Sequence, residues 1–237
     1  MASRGESYFS RLPRVAAWLY DRLVRIRPVE AQTAEIARDS ASLLDSGRVL
    51  DVGTGPGRLL LELHKLNDHL ELFGLDISAS MVRRARKNLQ GIPVGLRQGS
   101  IRNTDYQSGF FDAITCVGSF YLWDQPTECV DEIFRILKPG RSAYLFESYR
   151  DHDAQEFRHA LAANVVKVAP WQRPLCGFAV KKLLRMTYRT EEFRRILDQT
   201  KFANSYGLTK VKLAGLPIWV RITLNKLQTE QTGSQLL

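Results

Sequence analysis

Within Val49-Leu50-Asp51-Val52-Gly53-Thr54-Gly55-Pro56-Gly57, a short apolar run ends in an acid and breaks into a Gly-x-Gly-x-Gly turn. Leu59, Leu60, Leu61 and Leu63 then open a helix-like segment. Strand, tight glycine turn and helix make the unit that builds nucleotide sites in parallel sheets. The glycines let the backbone take positive φ and approach a ligand closely. The helix start offers free N–H groups and a positive dipole end to a carboxylate. Asp51 is placed to accept from a cationic amine, directly or through water, or to hold the turn by hydrogen bonds. Dinucleotide enzymes and flavoproteins use close variants of this turn. A second acid ends Leu72-Phe73-Gly74-Leu75-Asp76, at about the interval where nucleotide folds set a carboxylate on ribose hydroxyls. Ser78 is better placed than Asp76 to cap the next helix. Ile77 and Met81 can then form an apolar floor for a base, or ordinary core.

The details of the turn narrow the choice. The acid sits two residues before the first glycine, the third glycine follows the second by two, and Arg58 comes next. This departs from G-x-G-x-x-G and resembles motif I of class I S-adenosylmethionine (SAM) methyltransferases. Asp76-Ile77-Ser78 with Ser80-Met81 resembles the family's D-x-S-x-x-M segment. Gly109-Phe110-Phe111-Asp112 resembles its entry to strand four, and Ile133–Arg141 its helix and turn before strand five. The resemblance covers residues 48–149. It implies SAM as cofactor, with Asp51, Gly53, Thr54, Gly55, Gly57, Asp76, Ile77, Met81, Ile101 and Gly118 at its site. The family usually carries an acid after strand three for the adenine amino group. Here Gly99-Ser100-Ile101 puts Ser100 in its place, an uncharged acceptor. Trp18-Leu19-Tyr20-Asp21 resembles the N-terminal Tyr-Asp of quinone-type methyltransferases, which implies that Tyr20 closes over the methyl site; plain helix packing is the alternative.

Open α/β sheets bind ligands beyond the carboxyl ends of their strands. That rule nominates Gly118–Trp123 and Glu147–His152, with Tyr121 and His152 as candidate catalytic residues beside Tyr20. Methyl transfer is an in-line displacement served by positioning and a dry site, and it needs a base only when the nucleophile must lose a proton. His152 has the intrinsic pKa for that role. The sequence lacks the Asn-Pro-Pro-Tyr and Asp-Pro-Pro-Tyr tetrapeptides and any Pro-Cys nucleophile, which argues against base-amino, glutamine-amide and cytosine C5 methylation.

These residues need a parallel sheet to position them. The pattern predicts strands at 48–52, 70–75, 94–98, 111–117 and 142–148, with helices at 57–66, 79–88 and 126–137 between them. Two β-rich runs, 207–214 and 218–224, joined by Gly215-Leu216-Pro217, predict a closing antiparallel hairpin. Thr190–Lys201 reads as the crossover helix, capped by Thr190. The expected fold is therefore α/β, a Rossmann-like seven-stranded methyltransferase sheet in a single domain spanning 1–237. An N-terminal helical cap covers about 8–45, where Phe9, Leu12, Val15, Ala16, Leu19 and Leu23 share a helical spacing. A helical insertion covers about 150–188, with helices at 153–168 and 176–187 around Pro170–Pro174. It is a candidate lid whose wall would be Trp171, Phe178, Leu183, Leu184 and Tyr188.

Of 237 residues, 44% are hydrophobic and 25% charged, the balance of an ordinary globule. No apolar run is long enough to span a membrane, and the first residues do not read as a secretory signal. The three cysteines, Cys116, Cys129 and Cys176, show neither metal nor disulfide spacing, which suits a reducing, cytoplasmic setting and a metal-free fold. The net charge of +9 includes the runs Arg83–Arg102 and Lys181–Arg195. The composition leaves oligomeric state open. Three functions fit the residues: methyl transfer to a small, anionic acceptor, with Lys181, Lys182 and Arg185 near its entrance; methylation of RNA along the basic helices; or a non-catalytic SAM-binding protein.

Overall fold

Each acid-ended apolar run forms a buried strand, and each glycine turn hands the chain to a helix. A computed structural model describes residues 12–23, 25, 27–41, 46–165 and 184–228. Strands β1 (Gly47–Val52), β2 (Leu70–Asp76), β3 (Val94–Gln98), β4 (Phe111–Val117), β5 (Leu137–Ser148), β6 (Tyr206–Leu213) and β7 (Leu216–Lys226) make one sheet in the order β3-β2-β1-β4-β5-β7-β6. The first five pair parallel, and β7 lies antiparallel between β5 and β6. The chain order reverses between β1 and β4, so a crevice opens beyond the carboxyl ends of these strands.

Helices α1 (Arg14–Leu23), α2 (Arg27–Ala41), α3 (Arg58–Leu66), α4 (Ala79–Asn88), α5 (Pro126–Ile136), α6 (Ala154–Val165) and α7 (Thr190–Leu197) surround the sheet. Leu50, Val52, Ile114 and Leu145 point to one face, against Val130, Ile133 and Ile136 of α5 and Phe193 and Leu197 of α7. Val49, Leu72 and Phe146 point to the other, against Ile36 of α2, Leu60 and Leu63 of α3 and Ala85 of α4. Period-2 alternation on the strands thus feeds two cores, one on each side.

Several boundaries differ from expectation for local physical reasons. Leu137 already pairs with Phe111 and Ser142 with Ala113, so β5 begins before residue 142 and bulges between. Thr190 does not cap α7. Its N–H and hydroxyl both donate to Asp151 Oδ1, at 2.7 and 3.2 Å, and Glu192 Oε2 accepts from the Arg189 N–H at 2.6 Å instead. The hairpin turn is Ala214-Gly215, both at positive φ, and Leu216 and Pro217 belong to β7. The expected helix at 176–187 lies outside the described residues apart from its last four positions, as do Trp171, Phe178, Leu183, Lys181 and Lys182.

The N-terminal helix is held by one carboxylate. Asp21 is buried and faces Arg25 (2.9 Å), Arg58 of α3 (3.3 Å) and Arg84 of α4 (3.6 Å). Asn88 Nδ2 donates to Asp21 Oδ1 at 3.1 Å and to the Pro56 carbonyl of the glycine turn at 2.9 Å. Burial alone would raise the Asp21 pKa, and the Arg25 hydrogen bond and the arginine charges more than offset it, leaving the group below its ordinary value. A lowered carboxyl pKa stabilises the fold above the unfolded value and loses that contribution as pH falls through the folded one. Asp21→Asn is therefore expected to lower stability at neutral pH by about 1–3 kcal/mol, as for a partner removed from buried polar groups. Denaturant melts at pH 7 and pH 3.5 check this, with the gap between variant and wild type narrowing at the lower pH.

Candidate functional site

The crevice above β1, β2 and β4 is lined by Val52, Gly53 and Gly55 of the first turn, Asp76, Ile77 and Met81 after β2, Gly99, Ser100 and Ile101 after β3, Gly118, Ser119, Tyr121, Leu122 and Trp123 after β4, and Tyr20 from α1. Fold topology therefore brings together Tyr20, Gly53, Gly55, Asp76, Ile77, Met81, Ser100, Ile101, Gly118 and Tyr121 of the sequence candidates. Asp51, Thr54, Gly57 and His152 do not line it.

Asp76 ties two turns to each other. Its Oδ2 accepts from the Gly55 N–H and its Oδ1 from the Ser78 N–H, both at 2.8 Å. Ser78 caps α4, accepting from Met81 N, as the sequence suggested. Gly53 and Thr54 donate to the Leu75 carbonyl at 2.8 and 3.0 Å, which seats the glycine turn on the end of β2. Asp51 lies one layer below, its Oδ1 accepting from Thr115 Oγ1 at 3.2 Å. Burial pushes its pKa up to about 7, with the Thr54 and Thr115 hydroxyls offsetting part of the rise.

The glycines have different reasons. A Cβ on Gly57 would stand 2.7 Å from Leu89 Cδ1 and 3.3 Å from the Ala85 methyl. The third glycine therefore permits α3 to pack on α4. A Cβ on Gly118, at φ 62°, meets nothing within 4 Å and would project into the crevice. A Cβ on Gly55 would face Tyr20 Cε1 at 4.0 Å.

His152 sits elsewhere. Its Nδ1 is 3.1 Å from the Tyr149 carbonyl, and its ring packs edge-on against Phe157. The post-β5 segment contributes a different group. Glu147 is fully buried; its Oε1 accepts from Ser119 N at 2.9 Å and Phe120 N at 2.8 Å, and its Oε2 has no hydrogen-bond partner among the described residues. Burial raises its pKa to about 8, against these backbone hydrogen bonds. An acid closing an apolar strand, as at Asp51 and Asp76, was the available sequence signal for it. Desolvation and then the Asp76 and Glu147 charges raise the Tyr20 hydroxyl, and desolvation followed by Tyr20 and Glu147 raises Tyr121. Tyr20 is nevertheless 45% exposed, so it stands between the buried acids and solvent.

The crevice fits SAM on its own terms. Asp76 lines it, Asp51 and Glu147 back it, and among the described residues none that lines it is Lys or Arg, in a chain of net charge +9. Such a site is matched to a cation. Gly55 and Gly118 leave the space a close ligand needs. Ser100 lines the crevice, and its hydroxyl also accepts from the Arg102 N–H at 3.2 Å.

Residues 49–140 match the family model described as a methyltransferase domain. Over that stretch the chain is similar to a methyltransferase domain. It is 32% identical over 106 residues to an uncharacterized methyltransferase, YdaC, of Bacillus subtilis, covering 45% of this chain and 59% of that protein. It is 32% identical over 102 residues to the demethylmenaquinone methyltransferase of Deinococcus radiodurans, covering 42% of each. The chain thus spans about half the length of these curated relatives. A SAM-dependent methyltransferase structure from Methanococcus maripaludis shares the fold at TM-score 0.68 and 22% identity, over 93% of this chain and 96% of that one.

The crevice and its surroundings separate two glycine roles that a substitution can test. Gly57→Ala should cost about 1–3 kcal/mol through overpacking and leave SAM affinity within threefold of wild type. Gly118→Ala should weaken SAM binding at least tenfold, its methyl group occupying cofactor space. Thermal melts and calorimetric titration of both variants check the contrast.

Proposed function

We propose that this chain transfers the methyl group of SAM to a small-molecule acceptor bound beside Tyr20, Tyr121 and Trp123. One observation carries the reading: a crevice with three carboxyl groups at or behind its wall and, among the described residues, no basic side chain lining it. Bound there, SAM supplies an electrophilic methyl on a sulfonium.

Asp76 would hold the ribose hydroxyls, its carboxylate already oriented by two backbone donors. Ile77, Met81 and Ile101 would flank adenine, with Ser100 at its polar edge. Asp51 would face the methionine amine through the glycine turn. Tyr20 and Tyr121 would screen the reacting groups from water and orient the acceptor. With His152 outside the crevice, we assign no histidine base. This suits an acceptor already ionised or already nucleophilic, for which positioning and exclusion of water lower the barrier. The demethylmenaquinone methyltransferase relative supports a cyclic, apolar acceptor. The buried Cys116 and Cys129 form no disulfide among the described residues, which fits a reducing cytoplasmic setting.

The basic run after β2 gives little to an RNA reading. Arg84 is spent on Asp21, Arg83 Nη2 donates to Ser80 Oγ at 2.9 Å, and Arg97 stacks over the Tyr106 ring.

Asp76→Ala removes two charge-assisted contacts and should weaken SAM binding by about 2–4 kcal/mol, thirtyfold or more. Calorimetric titration with SAM and with NADH checks both the site and the cofactor. Binding of NADH in preference to SAM, or unchanged SAM affinity in the variant, would defeat the proposal.

A further inference from the structure

Helix α1 is built inside out. Its small and polar residues face the protein: Ala17 packs with Leu12 and Met81, and Asp21 takes the arginine cage. Its large apolar residues face outward, with Val15 68%, Trp18 43% and Leu19 50% exposed. At 100° per residue, Arg14, Trp18, Arg22, Val15 and Leu19 occupy one continuous outward arc. The sequence spacing through Val15, Ala16 and Leu19 does mark a helix stripe, but the structure turns its large members away from the core. A soluble helix ordinarily buries such residues.

Arg14 and Arg22 are exposed on this arc and bracket its apolar residues. The Arg22 guanidinium lies 5.0 Å from the Trp18 ring centroid, which leaves its charge at the level of the indole. Aromatic and aliphatic side chains interleaved with arginine match the boundary between acyl chains and anionic headgroups. Trp and Leu gain nothing from facing water at these positions, and the arginines beside them favour an anionic surface.

We infer that the outward face of α1 docks on an anionic lipid surface. Tyr20 lines the crevice from the opposite side of the helix, so docking leaves about one helix width between bilayer and crevice. Its consequence for the substrate rests on the methyl-transfer reading: the acceptor would be an apolar compound dissolved in the membrane. The docking itself does not depend on that reading.

Vesicle co-sedimentation of the full chain tests this, with phosphatidylcholine vesicles carrying or lacking phosphatidylglycerol. Wild type should bind the anionic vesicles at least tenfold more tightly than the neutral ones. The double variants Val15→Glu/Trp18→Glu and Arg14→Gln/Arg22→Gln should each lose at least tenfold. SAM titration of the same samples reports the fold and cofactor site, and should give wild-type affinity in both variants. Unchanged SAM affinity with lost vesicle binding supports docking, whereas lost SAM binding by wild type defeats the methyltransferase reading and leaves docking to stand on the vesicle result. Equal sedimentation of wild type and variants, or no sedimentation of wild type, overturns docking. So does self-association of wild type that Val15→Glu/Trp18→Glu abolishes, if vesicles bind neither, because a second copy would then occupy the face.

Discussion

Three carboxyl groups buried at the ends of neighbouring strands set the character of this protein. Asp51, Asp76 and Glu147 stand at the C-terminal ends of β1, β2 and β5, and burial is the leading cause of the raised pKa in each. Such groups cost stability when they ionise without a partner. Backbone N–H groups answer part of the demand: Asp76 takes those of Gly55 and Ser78, and Glu147 takes those of Ser119 and Phe120. The same hydrogen bonds shape the crevice, because those amides belong to the turns that line it. Electrostatic demand for a cation and the geometry to receive one have a common origin.

The remaining architecture protects this arrangement. The parallel sheet puts all three acids on one edge, and the reversal of strand order between β1 and β4 leaves room above them. Gly57 lets α3 and α4 meet closely, and the Asp21 cage ties α1 to both. Because Asn88 bridges Asp21 to the Pro56 carbonyl, the cap and the glycine turn are mechanically one unit. Tyr20 is thereby held over the crevice by a contact made one residue further along the helix.

Much of this was legible in the sequence because it is local. The acid-glycine turn at Asp51–Gly57, the acid at Asp76 with Ser78 as cap, and the strand–helix alternation are all written within a few residues. The seven strands and the closing hairpin followed from the same patterns. What escaped depends on residues far apart in the chain. Thr190 has the chemistry of a cap, but Asp151 claims its donors. The isolated pattern of α1 gives a stripe without saying which side faces inward, and the cage on Asp21 decides that. Glu147 lay within a nominated segment, yet His152 looked more reactive until packing placed it against Phe157.

The central claim is that bound SAM provides the positive charge these buried acids lack. With Asp51 near 7 and Glu147 near 8, both hold protons over part of the neutral range, and a cation beside them must expel some. Calorimetric titration of SAM between pH 6 and about 7.5, where an α-amino group stays largely protonated, measures this directly in buffers of different ionisation enthalpy. Wild type should release protons and bind more tightly as pH rises, and an Asp51→Asn/Glu147→Gln variant should do neither. A flat affinity profile with no proton release in wild type would contradict the account.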